Sequence, residues 1–135
     1  MFIGEYTHTV DEKNRFSLPV KFRKELGKKV VVTRGKDHCL FLYPTKTWIA
    51  LSKEVQQLGH VESDPRYARF TFAGAAEIEI DSIGRVLVPE FLREFADLNP
   101  PAGGHIVITG VHDRVEIWND KHWTAYRKKL ESEYA

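Results

Sequence analysis

A chain of 135 residues has room for one ordinary domain or two very small ones, and 42% hydrophobic with 12% aromatic residues excludes a disordered chain. Its one cysteine, Cys39, excludes an intramolecular disulfide and fits a reducing compartment, while no apolar run approaches the ~20 residues that cross a bilayer. Net charge is only +1, yet residues 5–47 carry ten Lys or Arg against five acids and residues 76–119 carry three Arg against eight acids, so the total conceals a dipolar chain.

In chain order, the opening MFIGEYTHTVDEKNR lacks the basic start and long apolar stretch of a signal peptide, so a soluble cytoplasmic product is expected. Tyr6, His8 and Val10 alternate toward one face and predict a strand. Asp11-Glu12-Lys13-Asn14-Arg15 makes a turn, and Phe16–Leu18 a short second strand. Pro19 opens a short helix to Leu26, because a missing N–H costs nothing in a first turn. Val30–Thr33 and Leu40–Tyr43 form a hairpin around Gly35-Lys36-Asp37. An amphipathic helix follows, capped by Thr45 or a neighbour, with Trp48, Leu51, Val55 and Leu58 as its apolar stripe. Asp64-Pro65 starts a further helix through Phe72, which Gly74 ends.

Beyond Gly74 the same series runs again. Shifted by 70 residues, Asp11 meets Asp81, Asn14 meets Gly84, Arg15 meets Arg85, Leu18 meets Val88, Pro19 meets Pro89 and Arg23 meets Arg93. Ile78 and Ile80 supply the alternating strand, Val86–Val88 the short one, and Pro89–Leu98 the helix. An insertion at Asn99-Pro100-Pro101-Ala102-Gly103-Gly104 raises the shift to 76, which lays Val30–Thr33 over Ile106–Thr109. Val115–Trp118 completes that hairpin around Gly110-Val111-His112-Asp113. At a shift of 75, Tyr43 meets Trp118 and Trp48 meets Trp123 on a last helix capped by Asn119 or Asp120, with Tyr126 and Leu130 continuing its stripe. Chance does not keep that order, so one unit is written twice. The organisation expected is a first repeat at 5–47, a helical arm and linker at 48–75, a second repeat at 76–119 and a C-terminal helix at 120–135. The fold class expected is α+β, mainly β.

Asn and Gly are the residues that most readily take positive φ, so their equivalence at 14 and 84 implies a left-handed position in a tight turn. The Asp11 and Asp81 side chains can accept from backbone N–H groups further along, an Asx-type turn. Each Arg then emerges from a rigid loop at the start of a strand, which suits bidentate contact with phosphate or guanine. The same pair also reads as an ion pair that only holds the turn together.

The duplicated D-x-x-[N/G]-R turn, the stretches Arg15 to Pro19 and Arg85 to Pro89, VTRG at 32–35 and FAGAAEIEIDSIGR at 72–85 together resemble the MraZ family of tandem SpoVT/AbrB-like domains, over essentially the whole chain. The resemblance implies two swapped-hairpin β-barrel halves with helical extensions, related by a pseudo-twofold within the chain, and assembly into rings of eight or more subunits. It also implies a nucleoid-associated transcriptional regulator of the division and cell-wall gene cluster that binds short promoter repeats. The family's D-x-K-G-R turn carries over to Asp11, Lys13 and Arg15, with Asn14 where Gly is usual, and again to Asp81, Gly84 and Arg85. Ile83 stands where the second copy would need a Lys.

Lys13, Arg15, Lys21, Arg23 and Lys24 cluster in the first repeat, so Arg15 is the expected base reader, its neighbours phosphate contacts, and Arg85 chiefly a support for its own turn. Charge also suggests assembly, the basic repeat of one subunit docking head-to-tail on the acidic repeat of the next. Trp48, Trp123, Tyr43 and Trp118 fall at equivalent junctions and read as core or interface packing residues, and Phe70, Phe72, Ala73, Ala75 and Ala76 as a cover for either the junction between copies or a subunit contact. The six His and Cys39 lack metal-ligand spacing, no cofactor cradle or catalytic constellation is present, and Glu77, Glu79 and Asp81 share a strand face that reads as a solvated edge. No enzyme, small-molecule substrate or metal is expected. Two other functions fit less well: an AbrB-like antitoxin, against which the absence of a tail after Tyr134 speaks, and a ring-forming scaffold without DNA binding.

Overall fold

Exchange of strands between the two repeats organises the chain. The computed structural model describes residues 1–61 and 65–135, without the side chains of 57–61. The first repeat supplies β1 (Phe2–Thr9), β2 (Arg15–Ser17), α1 (Val20–Leu26), β3 (Lys29–Arg34) and β4 (Leu40–Pro44), followed by α2 (Thr45–Val61) and α3 (Pro65–Ala73). The second supplies β5 (Ala75–Glu79), β6 (Arg85–Leu87), α4 (Glu90–Phe95), β7 (His105–His112), β8 (Arg114–Asn119) and α5 (Asp120–Tyr134).

Each β3–β4 or β7–β8 hairpin takes as its outer neighbour the first strand of the other repeat. Six strands run β1-β7-β8-β4-β3-β5, all antiparallel, with Thr9 opposite His105 at one edge and Lys29 opposite Glu79 at the other. At the centre β4 and β8 meet with Phe41 opposite Glu116. The short strands β2 and β6 form a separate two-stranded ribbon. The repeats are therefore not separate lobes, and the basic and acidic segments interleave within one sheet.

Alternation sets which side chains line the core. Phe2 and Val10 are buried, as are Val30, Val32, Leu40, Leu42, Ile106, Ile108, Val115 and Ile117 from the hairpins. Leu40, Ile108 and Ile117 are 0% exposed, and burial of such side chains contributes roughly 2 kcal/mol each. A seven-residue helix such as α1 does not persist alone. Phe22 and Leu26 hold it on the core, Phe22 edge-on to both Phe2 and Tyr6 at 5.3 Å.

Several expectations need correction. Helix contributes as heavily as strand, because α2 and α5 add 17 and 15 residues outside the sheet, so the chain is mixed rather than mainly β. α4 ends at Phe95 instead of Leu98. Asp97 takes φ 53 and donates to Glu94, Leu98 donates to Arg93, and that reversal closes the helix early. The second hairpin turn is narrower than Gly110–Asp113: Val111 still pairs with Arg114, and His112 bends at φ 65. Gly110 belongs to the strand because β1 crosses it, and a Cβ there would overlap the backbone of Phe2 and Ile3.

Other readings hold. Asn119 caps α5, its side chain accepting from the His122 N–H at 2.9 Å. Pro19 and Pro89 do open α1 and α4, but one residue outside the expected first turn, at the N-caps. Tyr43 packs on Trp48 and Trp118 on Trp123, at 6.0 and 5.2 Å, equivalent contacts in the two repeats. Phe70 from α3 meets Phe95 of the second repeat at 5.9 Å, covering the junction. The places given to the Leu58 side chain in the α2 stripe and to Asp64 at the start of α3 lie outside what the structure describes.

Candidate nucleic-acid interface

The two turns are built from the same bonds. In the first, one Asp11 oxygen accepts from the N–H groups of Lys13 at 2.8 Å and Arg15 at 2.9 Å, and the other accepts from Arg15 Nε at 3.0 Å. In the second, Asp81 accepts from Ile83 at 3.1 Å and Arg85 at 2.8 Å, and from Arg85 Nε at 2.7 Å. The residue expected to be left-handed is so in both, with φ 62 at Asn14 and 87 at Gly84. The backbone N–H of each Arg is the main reason its Asp carboxyl titrates below the ordinary carboxylate range, with the Arg guanidinium adding to it.

Held through Nε, each guanidinium has no partner for its two terminal nitrogens among the described residues, which leaves them for another group. The Arg15 and Arg85 side chains are 29% and 30% exposed, so neither is more available than the other. Both turns feed the β2–β6 ribbon, where Arg15 lies opposite Leu87 and Ser17 opposite Arg85. Directly paired residues share a face, as do residues two apart, so Arg15, Ser17, Arg85 and Leu87 stand on one side. Phe16 and Val86, on the other side, are buried in the core. Leu87 is 50% exposed. The outward face thus presents two arginines on a diagonal, two residues apart along the ribbon, or about 7 Å.

Cations of the first repeat do not all gather at the first turn. Leu18, just before α1, donates to the Gly84 carbonyl at 2.9 Å. Arg23 donates from Nε to the Leu18 carbonyl at 2.9 Å, and its guanidinium lies against Gly84 closely enough that a Cβ there would overlap it. Asn14 and Gly84 thus share a backbone conformation but not the space around it. Lys21 and Lys24 are exposed on the same helix, and Lys13 is exposed at the tip of the first turn, where the second turn has Ile83 at 57% exposure. Arg93, the counterpart of Arg23, bonds the Val88 carbonyl but spends a terminal nitrogen on Asn99 Oδ1 at 2.8 Å.

Three residues of this surface escaped the sequence reading. Ser17 and Leu87 were findable from the alternation that starts at each Arg. Lys28 was not: its carbonyl accepts from Ile80 N–H at 2.8 Å, and pairing between repeats sets it in the same cleft as Asp81, Ser82 and Gly84 of the second turn.

At the sheet centre, buried Glu116 accepts from Arg114 Nε at 2.9 Å and Trp118 Nε1 at 3.1 Å, and Arg114 lies over the Phe41 ring at 4.3 Å. The repeat-equivalent residues of the first copy are Cys39, Phe41 and Tyr43. Burial pushes the Cys39 thiol well above its ordinary pKa and the Tyr43 hydroxyl up to about 12. Among the described residues no helix is long and apolar enough to cross a membrane.

Comparison with known proteins gives a consistent match. The family profile described as "MraZ protein, putative antitoxin-like" matches residues 1–70 and again residues 71–134. A transcriptional regulator MraZ from Carboxydothermus hydrogenoformans is 46% identical over 135 residues, spanning 99% of this chain and 92% of the relative. Proteins of the same name from Syntrophomonas wolfei and Caldicellulosiruptor saccharolyticus are 44% and 47% identical, spanning 99% and 91% of this chain and 92% and 84% of those relatives.

Proposed function

This chain belongs to the MraZ family, whose curated relatives are named transcriptional regulators, and on that premise we propose that it reads promoter DNA through the outward face of the β2–β6 ribbon. The observation that carries the reading is the pair of arginines on that face, each held through Nε by its own Asp. A two-stranded ribbon fits the major groove, and a guanidinium with both terminal nitrogens free matches guanine O6 and N7. The ~7 Å between the arginines along the ribbon is about two base steps of ~3.4 Å. Arg15 and Arg85 are assigned the base contacts. Lys13, Lys21, Arg23 and Lys24 are assigned to phosphates, and Asp11, Asn14, Asp81 and Gly84 to the shape of the turns.

The exchanged first strands support reading the sheet and ribbon as two interlocked AbrB-like β-barrel halves within the chain, with 5–47 and 76–119 as the repeats and 48–75 and 120–135 as helical additions. The protein acts as a ring-shaped homo-oligomer of eight or more subunits at short repeats in the promoter of the division and cell-wall gene cluster, associated with the nucleoid. A ring multiplies weak single-subunit contacts across repeated boxes. That lets a chain of net charge +1 hold DNA.

Fluorescence anisotropy with a duplex from upstream of its own gene tests the reading. Arg15→Ala and Arg85→Ala are each expected to lose about 1–3 kcal/mol of discrimination against a scrambled duplex, the worth of a bidentate guanine contact, with oligomeric mass unchanged. Retention of full sequence preference by both variants would overturn it, and salt-insensitive binding would favour the scaffold.

A further inference from the structure

Lys28 and Arg23 flank an open cleft beside the second turn. Arg23, Gly27, Lys28, Ile80, Asp81, Ser82 and Gly84 line it, with a volume of about 450 Å³. Its cations come from the end of α1 in the first repeat and its other wall from the turn of the second. Asp81 also lines the cleft, but its carboxylate charge is taken up by Arg85 Nε at 2.7 Å. Ser82 adds a hydroxyl, and Gly84 leaves the Arg23 guanidinium room to lie against the turn.

Among the described residues the first turn has no equal seat. There the Gly104 carbonyl takes the place of the Lys28 carbonyl, accepting from Val10 N–H at 2.9 Å as Lys28 accepts from Ile80. Gly104 carries no charge. Lys24 has Glu94 as its counterpart, Lys21 has Phe91, and Arg93 is tied to Asn99. The +5 of the first repeat is thus delivered, in part, to the turn of the −5 repeat.

We propose that this cleft is a seat for one DNA backbone phosphate, held by Lys28 and Arg23 next to the base contact of Arg85. It rests on the DNA-binding reading above and adds a direction to it: the backbone is gripped more strongly on the Arg85 side of the ribbon. A seat made only when the repeats interlock also couples phosphate binding to the correct strand exchange.

The test measures binding of the full-length protein to the specific duplex and to a scrambled one of equal length between 50 and 300 mM salt. Lys28→Gln is expected to lower the slope of log K against log salt by about 0.9, the value of one phosphate contact, equally on both duplexes. Lys36→Gln, an exposed lysine on the β3–β4 turn, is expected to leave the slope unchanged. A scan of single methylphosphonate substitutions in the specific duplex should find one position that weakens wild type and costs measurably less in Lys28→Gln, where Arg23 alone still faces that phosphate. Wild-type binding with an unaltered slope in Lys28→Gln, or an equal drop in Lys36→Gln, overturns the seat alone. Absence of salt-dependent binding by wild type overturns the DNA reading and the seat with it.

Discussion

Asp11–Arg15 and Asp81–Arg85 are held by the same three bonds, yet they stand in different company. Beside the second turn lie the Arg23 guanidinium and Lys28, carried there by the first repeat. Immediately before the first turn, Val10 bonds the uncharged loop at Gly103 and Gly104. The difference teaches that local chemistry and surrounding charge were set independently. Each turn is fixed by five successive residues, whereas its electrostatic surroundings come from strand exchange.

The largest expected effect lies where the two repeats differ most, at the sheet centre. Arg114→Met leaves the buried Glu116 carboxylate without its cation and is expected to cost about 3 kcal/mol in denaturant unfolding. Cys39→Ala, at the equivalent position of the first repeat, should cost about 1 kcal/mol. Equal costs would show that the Arg114–Glu116 pair adds nothing to the second copy.

A smaller effect comes from exchanging the left-handed residues of the two turns. Gly84→Asn keeps a tolerated backbone but pushes Arg23 off the Leu18 carbonyl, so a loss of about 1 kcal/mol is expected, the worth of one hydrogen bond. Asn14→Gly should stay within about 0.5 kcal/mol, since both residues accept that φ. Matching melting shifts for the two variants would break the claim that the turns differ in surroundings.

The smallest effect is electrostatic and should be the same in both turns. Each Asp carboxyl has a folded pKa below its unfolded value of about 3.9, so its contribution is complete above that pH and fades as pH falls through the folded value. Carboxyl carbon shifts followed by NMR should place both midpoints below the ordinary aspartate value. A normal midpoint at either turn would show that its Asp is not holding the Arg backbone.

Much of the fold was legible in the sequence because its signals are local. Alternation at Tyr6, His8 and Val10 fixed a strand and its inward face, and Asn119 announced a cap. The Asn14–Gly84 equivalence required a positive φ, and both residues have one. Errors fell where a local signal competes with a longer-range contact. Gly110 reads as a turn residue until β1 is laid across it, and α4 reads through to Leu98 until Asp97 reverses the chain.

The candidate site divides the same way. From sequence alone came the duplication, the Asp-held arginines and their presentation from rigid turns, because those depend on bonds spanning four residues or fewer. Only the tertiary structure decided that both arginines share one face of a single ribbon, and that the basic helix of one repeat serves the turn of the other. Pairing β1 with β7 and β5 with β3 joins residues about a hundred and about fifty positions apart, and no pattern within either segment records its partner.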